Sequence, residues 1–301
     1  MSDAIAIAPV GDALVAYGGK VEATLDSLLP AAEGEEGRLF EAMRYSALGG
    51  GKYIRPYIAA MSARMFSVPE QRALRAGAAV EMVHAYSLIH DDLPAMDDDD
   101  MRRGRPSCHK AFDEATAILA GDALLTLSFE VLADERTHPN AAVRSDLVAA
   151  LAVAAGGRGM VGGQMIDLEC EHSDAGADVI ARLEKMKTGA LIAFSSSAGA
   201  ILAEAGRDIR NSLETFGFEL GLAFQITDDL LDVEGDETDV GKAVGKDADA
   251  GKATFVSALG VDGARREARR VTDSALARLD MFGDRAAGLR SVAEFILARN
   301  R

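Results

Sequence analysis

The chain has 301 residues, 49% of them apolar and 27% charged, with 32 Lys plus Arg against 48 Asp plus Glu and a net charge of −16. So apolar a composition excludes a disordered chain, and such acidity excludes general binding to nucleic acids or anionic membranes. An anionic substrate would need local Lys/Arg clusters or metal ions to reverse the field at its site. Up to Lys20 the chain carries Asp3 but no base, so it lacks the charged start of a secretory leader. Gly49-Gly50-Gly51 predicts a turn, after which Lys52 and Arg55 stand three apart and share a face if a helix starts there. Residues 75–90 hold only Arg75 and Glu81 as firm charges, the pattern of a central helix enclosed by others.

An acidic segment follows. Asp91, Asp92, Asp97, Asp98, Asp99 and Asp100 put six carboxylates in ten positions, with Arg102, Arg103 and Arg105 close behind. Pro94 within it should bend or end the preceding helix. All seven prolines precede Asn140, and the remainder is rich in Ala, Leu, Glu and Arg, which favour helices. Residues 190–203 form the longest uncharged apolar stretch. That is short of the ~20 residues of a bilayer span, so no stable membrane insertion is expected. Leu213, Phe216, Phe218, Leu220, Phe224 and Ile226 recur at helical spacing, and no Val/Ile/Thr-rich run bounded by turns suggests a sheet. With no linker and no repeat, residues 1–301 read as one all-α domain, a bundle of roughly ten or more helices around a central cavity. Two cysteines, Cys108 and Cys170, cannot make a disulfide framework or a Cys-based zinc site, which suits a reducing cytoplasm.

Carboxylates as crowded as those after His90 repel one another unless a cation sits among them. Hard oxygen donors select Mg²⁺ or Ca²⁺ over softer metals, and the adjacent guanidinium forks suit phosphate oxygens. A second acidic group, Asp228-Asp229-Leu230-Leu231-Asp232, ends another apolar helix. Its spacing puts Asp228 and Asp232 on one face, one turn apart, with Asp229 beside them. Two such groups meeting across a bundle make a metal–diphosphate site above an apolar pocket. Lys187-Thr188-Gly189 and Gly241-Lys242 interrupt apolar regions and supply further cations.

The runs GGGKYIRP, HAYSLIHDDLPAMDDDDMRRGRPSCHKAF, AILAGDALL, GGQMIDLE, KTGALI, FQITDDLLDVEGD and VGK are co-linear over nearly the whole chain. Together they resemble the trans-polyprenyl diphosphate synthases, and among these the bacterial farnesyl diphosphate synthase group. The resemblance implies an isoprenoid synthase-like fold, Mg²⁺ or Mn²⁺, a cytoplasmic homodimer, and two small-molecule substrates, an allylic diphosphate and isopentenyl diphosphate. It implies that Asp91, Asp92, Asp97, Asp228, Asp229 and Asp232 hold the metal. Arg102, Lys187, Thr188, Gln225 and Lys242 would contact the allylic substrate, with Lys252 closing over it. Lys52, Arg55, His84 and Arg103 would bind the other diphosphate. Ionisation would then rest on Asp91, Asp92, Asp228, Arg102, Lys187, Thr188 and Gln225.

Product length is set by pocket depth. Tyr86, beside Ser87, lies five residues before Asp91, ~7.5 Å down a helix. In the resembling family a bulky aromatic near this position goes with short products, so Tyr86 and Ser87 point to the fifteen-carbon chain. Geranylgeranyl diphosphate synthase is the runner-up. A terpene cyclase, a phosphohydrolase centred on His90 and Asp91, and a non-catalytic subunit of a heteromeric synthase stand further off.

Overall fold

A computed structural model of the protein describes residues 10–170, 176–234 and 254–298. Its elements are α1 (Val10–Leu28), α2 (Gly37–Ala47), α3 (Ile54–Met65), α4 (Glu70–Asp91), α5 (Cys108–Ala111), α6 (Glu114–Ala133) and α7 (Ala141–Ala155). They continue with α8 (Met160–Cys170), α9 (Ala177–Glu184), a π-helical turn (Lys185–Gly189), α10 (Ala190–Leu202), α11 (Arg207–Glu234), α12 (Phe255–Arg278), a 3₁₀ segment (Asp280–Ala286) and α13 (Ala287–Ala298). The fold is all-α, as the composition predicts. The single departure among the described residues is a two-stranded ribbon, β1 (Met101–Arg102) against β2 (Arg105–Pro106). Strands two residues long carry no periodicity that a sequence could display.

Helix starts follow local chemistry. The Asp113 carboxylate accepts the Thr116 N–H at 2.8 Å ahead of α6, and the Asn140 side chain accepts the Ala142 N–H at 3.0 Å ahead of α7. Thr254 and Ser257 form a reciprocal capping box at the start of α12.

The two segments without apolar periodicity are the centre of the molecule. On α4 the buried positions run almost unbroken from Ala73 to Tyr86, and α3, α6 and α1 pack against it. Every residue of α10 is buried, and α3, α7 and α11 surround it. Leu191, Ile192, Phe194 and Leu202 are each at most 3% exposed, and each such side chain contributes roughly 1.5–3 kcal/mol. One apolar core runs from Leu14 on α1 to Ile296 on α13. A smaller cluster joins Ile180, Ile226, Leu230 and Phe255 where α9, α11 and α12 meet.

Among the described residues one helix, α6, is long and apolar enough to cross a membrane by length and composition. Asp122 and Glu130 interrupt its apolar run, so an uncharged stretch does not reveal it in the sequence. In the fold α6 lies against α4, α2, α5 and α7.

Candidate active site

The first acidic segment begins where α4 ends. Asp92 caps the helix through its N–H to Leu88, and Pro94 falls in the turn beyond. That turn folds back, because the Asp97 N–H reaches the Asp91 carbonyl at 2.8 Å and the Asp98 N–H reaches that of Leu93. Asp97 is thereby returned to the side of Asp91. Burial pushes the Asp91 carboxyl up to about 6; Lys187 and Arg102 pull it down, while Asp97 and Asp92 push it further up.

Asp92 has different surroundings. It is 2% exposed, and its Oδ1 accepts from Arg102 Nε at 2.9 Å and from Arg102 Nη2. Burial raises its pKa and Arg102 opposes the rise. Arg102 thus engages Asp92 through Oδ1, which sets its surroundings apart from those of Asp91.

Arg102 and Arg103 stand on the ribbon, whose turn places Arg103 and Gly104 at φ 52° and 74°. Two successive left-handed residues suit the twist of a tight hairpin, and Gly takes the second without strain. The turn aims Arg103 at the Gly-rich loop, where Nη1 donates to the Gly50 carbonyl. A Cβ on Gly51 would lie 3.0 Å from Arg103 Nη1, so the loop leaves room for the guanidinium. Here the sequence reading needs correction. The helix starts at Ile54, after a left-handed Tyr53, so exposed Lys52 precedes α3 and shares no helical face with Arg55. Arg55, Arg103 and His84 nonetheless come together around buried Glu81, whose Oε1 lies 3.9 Å from Arg103 Nη2. Burial holds His84 well below its ordinary pKa, and Arg55, Arg103 and Arg102 lower it further, so the imidazole is neutral.

The second acidic segment lies on α11, which packs against the π-helical turn that joins α9 to α10, an irregularity that often marks function. The Thr188 hydroxyl lies 3.2 Å from Glu184 Oε2 and 3.3 Å from Gln225 Oε1. Gln225 Nε2 donates to Asp229 Oδ1 at 3.1 Å, and Asp229 Oδ2 accepts the Phe255 N–H at 2.8 Å. Asp229 is thus 4% exposed and bound to protein on both oxygens, while Asp228 and Asp232 are half-buried. Lys187 pairs with Asp167 of α8. Burial works against its charge, but Asp167, Asp91 and Asp97 outweigh it and raise its pKa. Asp91 and Asp97 act on Lys187 through their charge, and the next residue, Thr188, lies against Gln225 and through it Asp229. The two acidic segments therefore converge on one π turn.

Sequence reasoning missed four residues here. Asp167 anchors Lys187, and Gln164 Nε2 is buried without a partner. Glu184 is driven up to about 8 by burial, with Asp229 adding to the rise, and Glu81 anchors the arginines. The run GGQMIDLE carried the signal for the first two, since it stood among the matched segments without a role. Lys242 and Lys252 lie outside the described residues. Tyr86 is buried, its ring edge-on to His90 at 5.6 Å, and the Ser87 hydroxyl donates to the His84 carbonyl. A separate group, Asp98, Asp100 and His109, has ligand atoms within 4.8 Å of one another, and Lys110 holds Asp100 at 2.8 Å.

Residues 36–283 match the polyprenyl synthetase family model. The chain belongs to that family. It is a prenyltransferase, as the paired acidic segments imply. It is 44% identical over 266 residues to the farnesyl diphosphate synthase of Escherichia coli (strain K12), an alignment spanning 87% of this chain and 89% of that protein. Its fold superposes with a TM-score of 0.86 on an apo FPP/GFPP synthase from Zymomonas mobilis, 45% identical, over 95% of this chain and 98% of that one. A geranyltransferase from Helicobacter pylori, solved with magnesium and isoprenyl diphosphate, is 29% identical with a TM-score of 0.82 over 97% of each chain.

Proposed function

We propose that this prenyltransferase condenses isopentenyl diphosphate with dimethylallyl and then geranyl diphosphate, head to tail, and releases farnesyl diphosphate. The observation that carries the reading is the pair of distinct cationic places around α4. Lys187 stands among the aspartates, and Arg55 and Arg103 gather farther back around Glu81. Two diphosphate substrates need two such places, whereas a terpene cyclase needs one.

The donors present suit Mg²⁺. They are all carboxylate oxygens, and the repulsion between Asp97 and Asp91 is what a cation between them relieves. Asp91, Asp97, Asp228 and Asp232 would hold it, with Asp92 and Asp229 fixing the segments from behind. Bound there, Mg²⁺ supplies positive charge that weakens the C–O bond of the allylic diphosphate. Lys187 and Arg102 neutralise the leaving group, and Lys242 and Lys252 belong to the same set by resemblance. The Thr188 hydroxyl and Gln225 carbonyl turn oxygen dipoles towards the allylic cation. Lys52, Arg55, His84 and Arg103 hold isopentenyl diphosphate while its double bond attacks, and the departing diphosphate takes the proton. Tyr86 closes the pocket floor and stops growth at fifteen carbons.

We also take residues 1–301 as one domain, supported by the core that joins α1 to α13. The working unit is a homodimer. The outer side of α6 exposes Ile118 and Leu119, and Val153, Val161 and Met165 on α7 and α8 are likewise exposed, an apolar surface that suits a second copy.

The test is product length. Purified protein with isopentenyl diphosphate, dimethylallyl diphosphate and Mg²⁺ should yield farnesol after dephosphorylation, and Tyr86→Ala should extend it to geranylgeraniol or longer. Geranylgeraniol from the unaltered enzyme would replace the length assignment, and no coupling would remove the activity.

A further inference from the structure

Of the two firm charges on the body of α4, Arg75 is held by the Thr137 hydroxyl at 2.8 Å and by Asp134. Glu81 is instead paired across the fold with Arg103, its Oε1 3.9 Å from Arg103 Nη2. It is 3% exposed, and three groups face it: Arg55 on α3, Tyr53 at the head of the same helix, and Arg103 on the ribbon turn. The Tyr53 hydroxyl donates to Glu22 at 2.8 Å, so Glu81 is left to the two arginines. Burial pushes the Glu81 carboxyl up, and Arg55 and Arg103 pull it back. Arg55 Nε is buried without a hydrogen-bond partner, and Arg103 is tied to the Gly50 carbonyl and Glu81. The two guanidinium groups repel each other, and each opposes a charge on His84. A carboxylate between them holds both in place before any anion arrives.

We propose that Glu81 is a positioning residue that sets Arg55 and Arg103 to receive the diphosphate of isopentenyl diphosphate. The proposal rests on the assignment of these arginines made above. It is unexpected on charge alone, because a carboxylate behind an anion site disfavours the anion. Field and positioning therefore predict opposite signs when the charge is removed. If Glu81 acted only through its field, Glu81→Gln would tighten the substrate. If it positions the arginines, Glu81→Gln loosens it, because misplaced forks lose their paired contacts.

Steady-state kinetics on the full-length enzyme with Mg²⁺, varying each substrate in turn, reads the difference. Glu81→Gln should raise the KM for isopentenyl diphosphate roughly tenfold or more, while the KM for geranyl diphosphate stays within about twofold. Glu81→Asp, which keeps the charge one methylene shorter, should recover part of the loss and serves as the readout if Glu81→Gln does not fold. In an Arg103→Ala background the Glu81→Gln effect should shrink, because the two act as a unit. An unchanged or lower KM for isopentenyl diphosphate, or an equal rise for both substrates, overturns the proposal. If Arg103→Ala raises that KM and Glu81→Gln does not, only the role of Glu81 fails. If Arg103→Ala leaves it unchanged too, the assignment of the arginines fails with it.

Discussion

Asp91 and Asp92 are adjacent, as are Asp228 and Asp229, and in each pair the second member is the buried one. Asp92 is closed by Arg102, and Asp229 by Gln225 and the Phe255 N–H. The first of each pair is only half-buried. This division has a consequence for pH. The Asp91 carboxyl titrates at about 6 instead of its ordinary 3.8, and Glu184 at about 8 instead of 4.5. For an acid whose pKa is higher in the fold, the native state holds more protons than the unfolded chain, so stability falls as pH rises. Asp91 and Glu184 should therefore cost metal-free protein stability between about pH 4 and pH 8, against the opposite contribution of neutral His84 below about pH 6.5. Asp91→Asn with Glu184→Gln should make the melting temperature rise more, or fall less, over that range than in the unaltered protein. Added Mg²⁺ should restore more stability at pH 8 than at pH 5, because protons compete for Asp91. An identical pH dependence in the unaltered protein and the double variant contradicts the account. Sequence spacing placed all of these aspartates, since crowding and helical register are local. Which of two neighbours turns inward was not legible, because it depends on Arg102 and Phe255, partners fixed only by the folded chain.

At the scale of elements, the π turn Lys185–Gly189 is built against α8. A Cβ on Gly163 would lie 2.3 Å from the Lys187 N, so the turn and the helix touch backbone to backbone. Gly163→Ala should push the turn away, lower the melting temperature by an amount matching about 1–3 kcal/mol, and cut turnover at least tenfold by displacing Lys187. Gly157, where an added Cβ would meet nothing within 4 Å, is the control whose change to Ala should leave both intact. Equal behaviour of the two variants would remove the π turn from the mechanism. The helices themselves were legible: unbroken apolar faces and the lack of proline after Asn140 dictate them. The ribbon and the late start of α3 were not, because two-residue strands and a left-handed Tyr53 leave no repeating pattern.

For the whole molecule, the apolar outer side of α6 predicts assembly. Leu119, 57% exposed, should sit between subunits. Leu119→Glu should shift the mass measured by light scattering from dimer to monomer and lower turnover, although no substrate touches it. A monomeric wild type, or a Leu119→Glu variant that remains dimeric and fully active, contradicts this. The expected link to activity comes from the inner side of the same helix. His90, next to Asp91, points its Nε2 at the Ile118 carbonyl at 3.1 Å, and its ring fills the space where a Cβ on Gly121 would stand. The turn of α6 that offers Ile118 and Leu119 outward is therefore the turn that seats His90 inward, one helix diameter of ~10 Å away. Rolling α6 to suit a neighbour would shift His90, the residue beside Asp91. In a pair built on this face, only a single helical wall would separate each reaction centre from the other subunit.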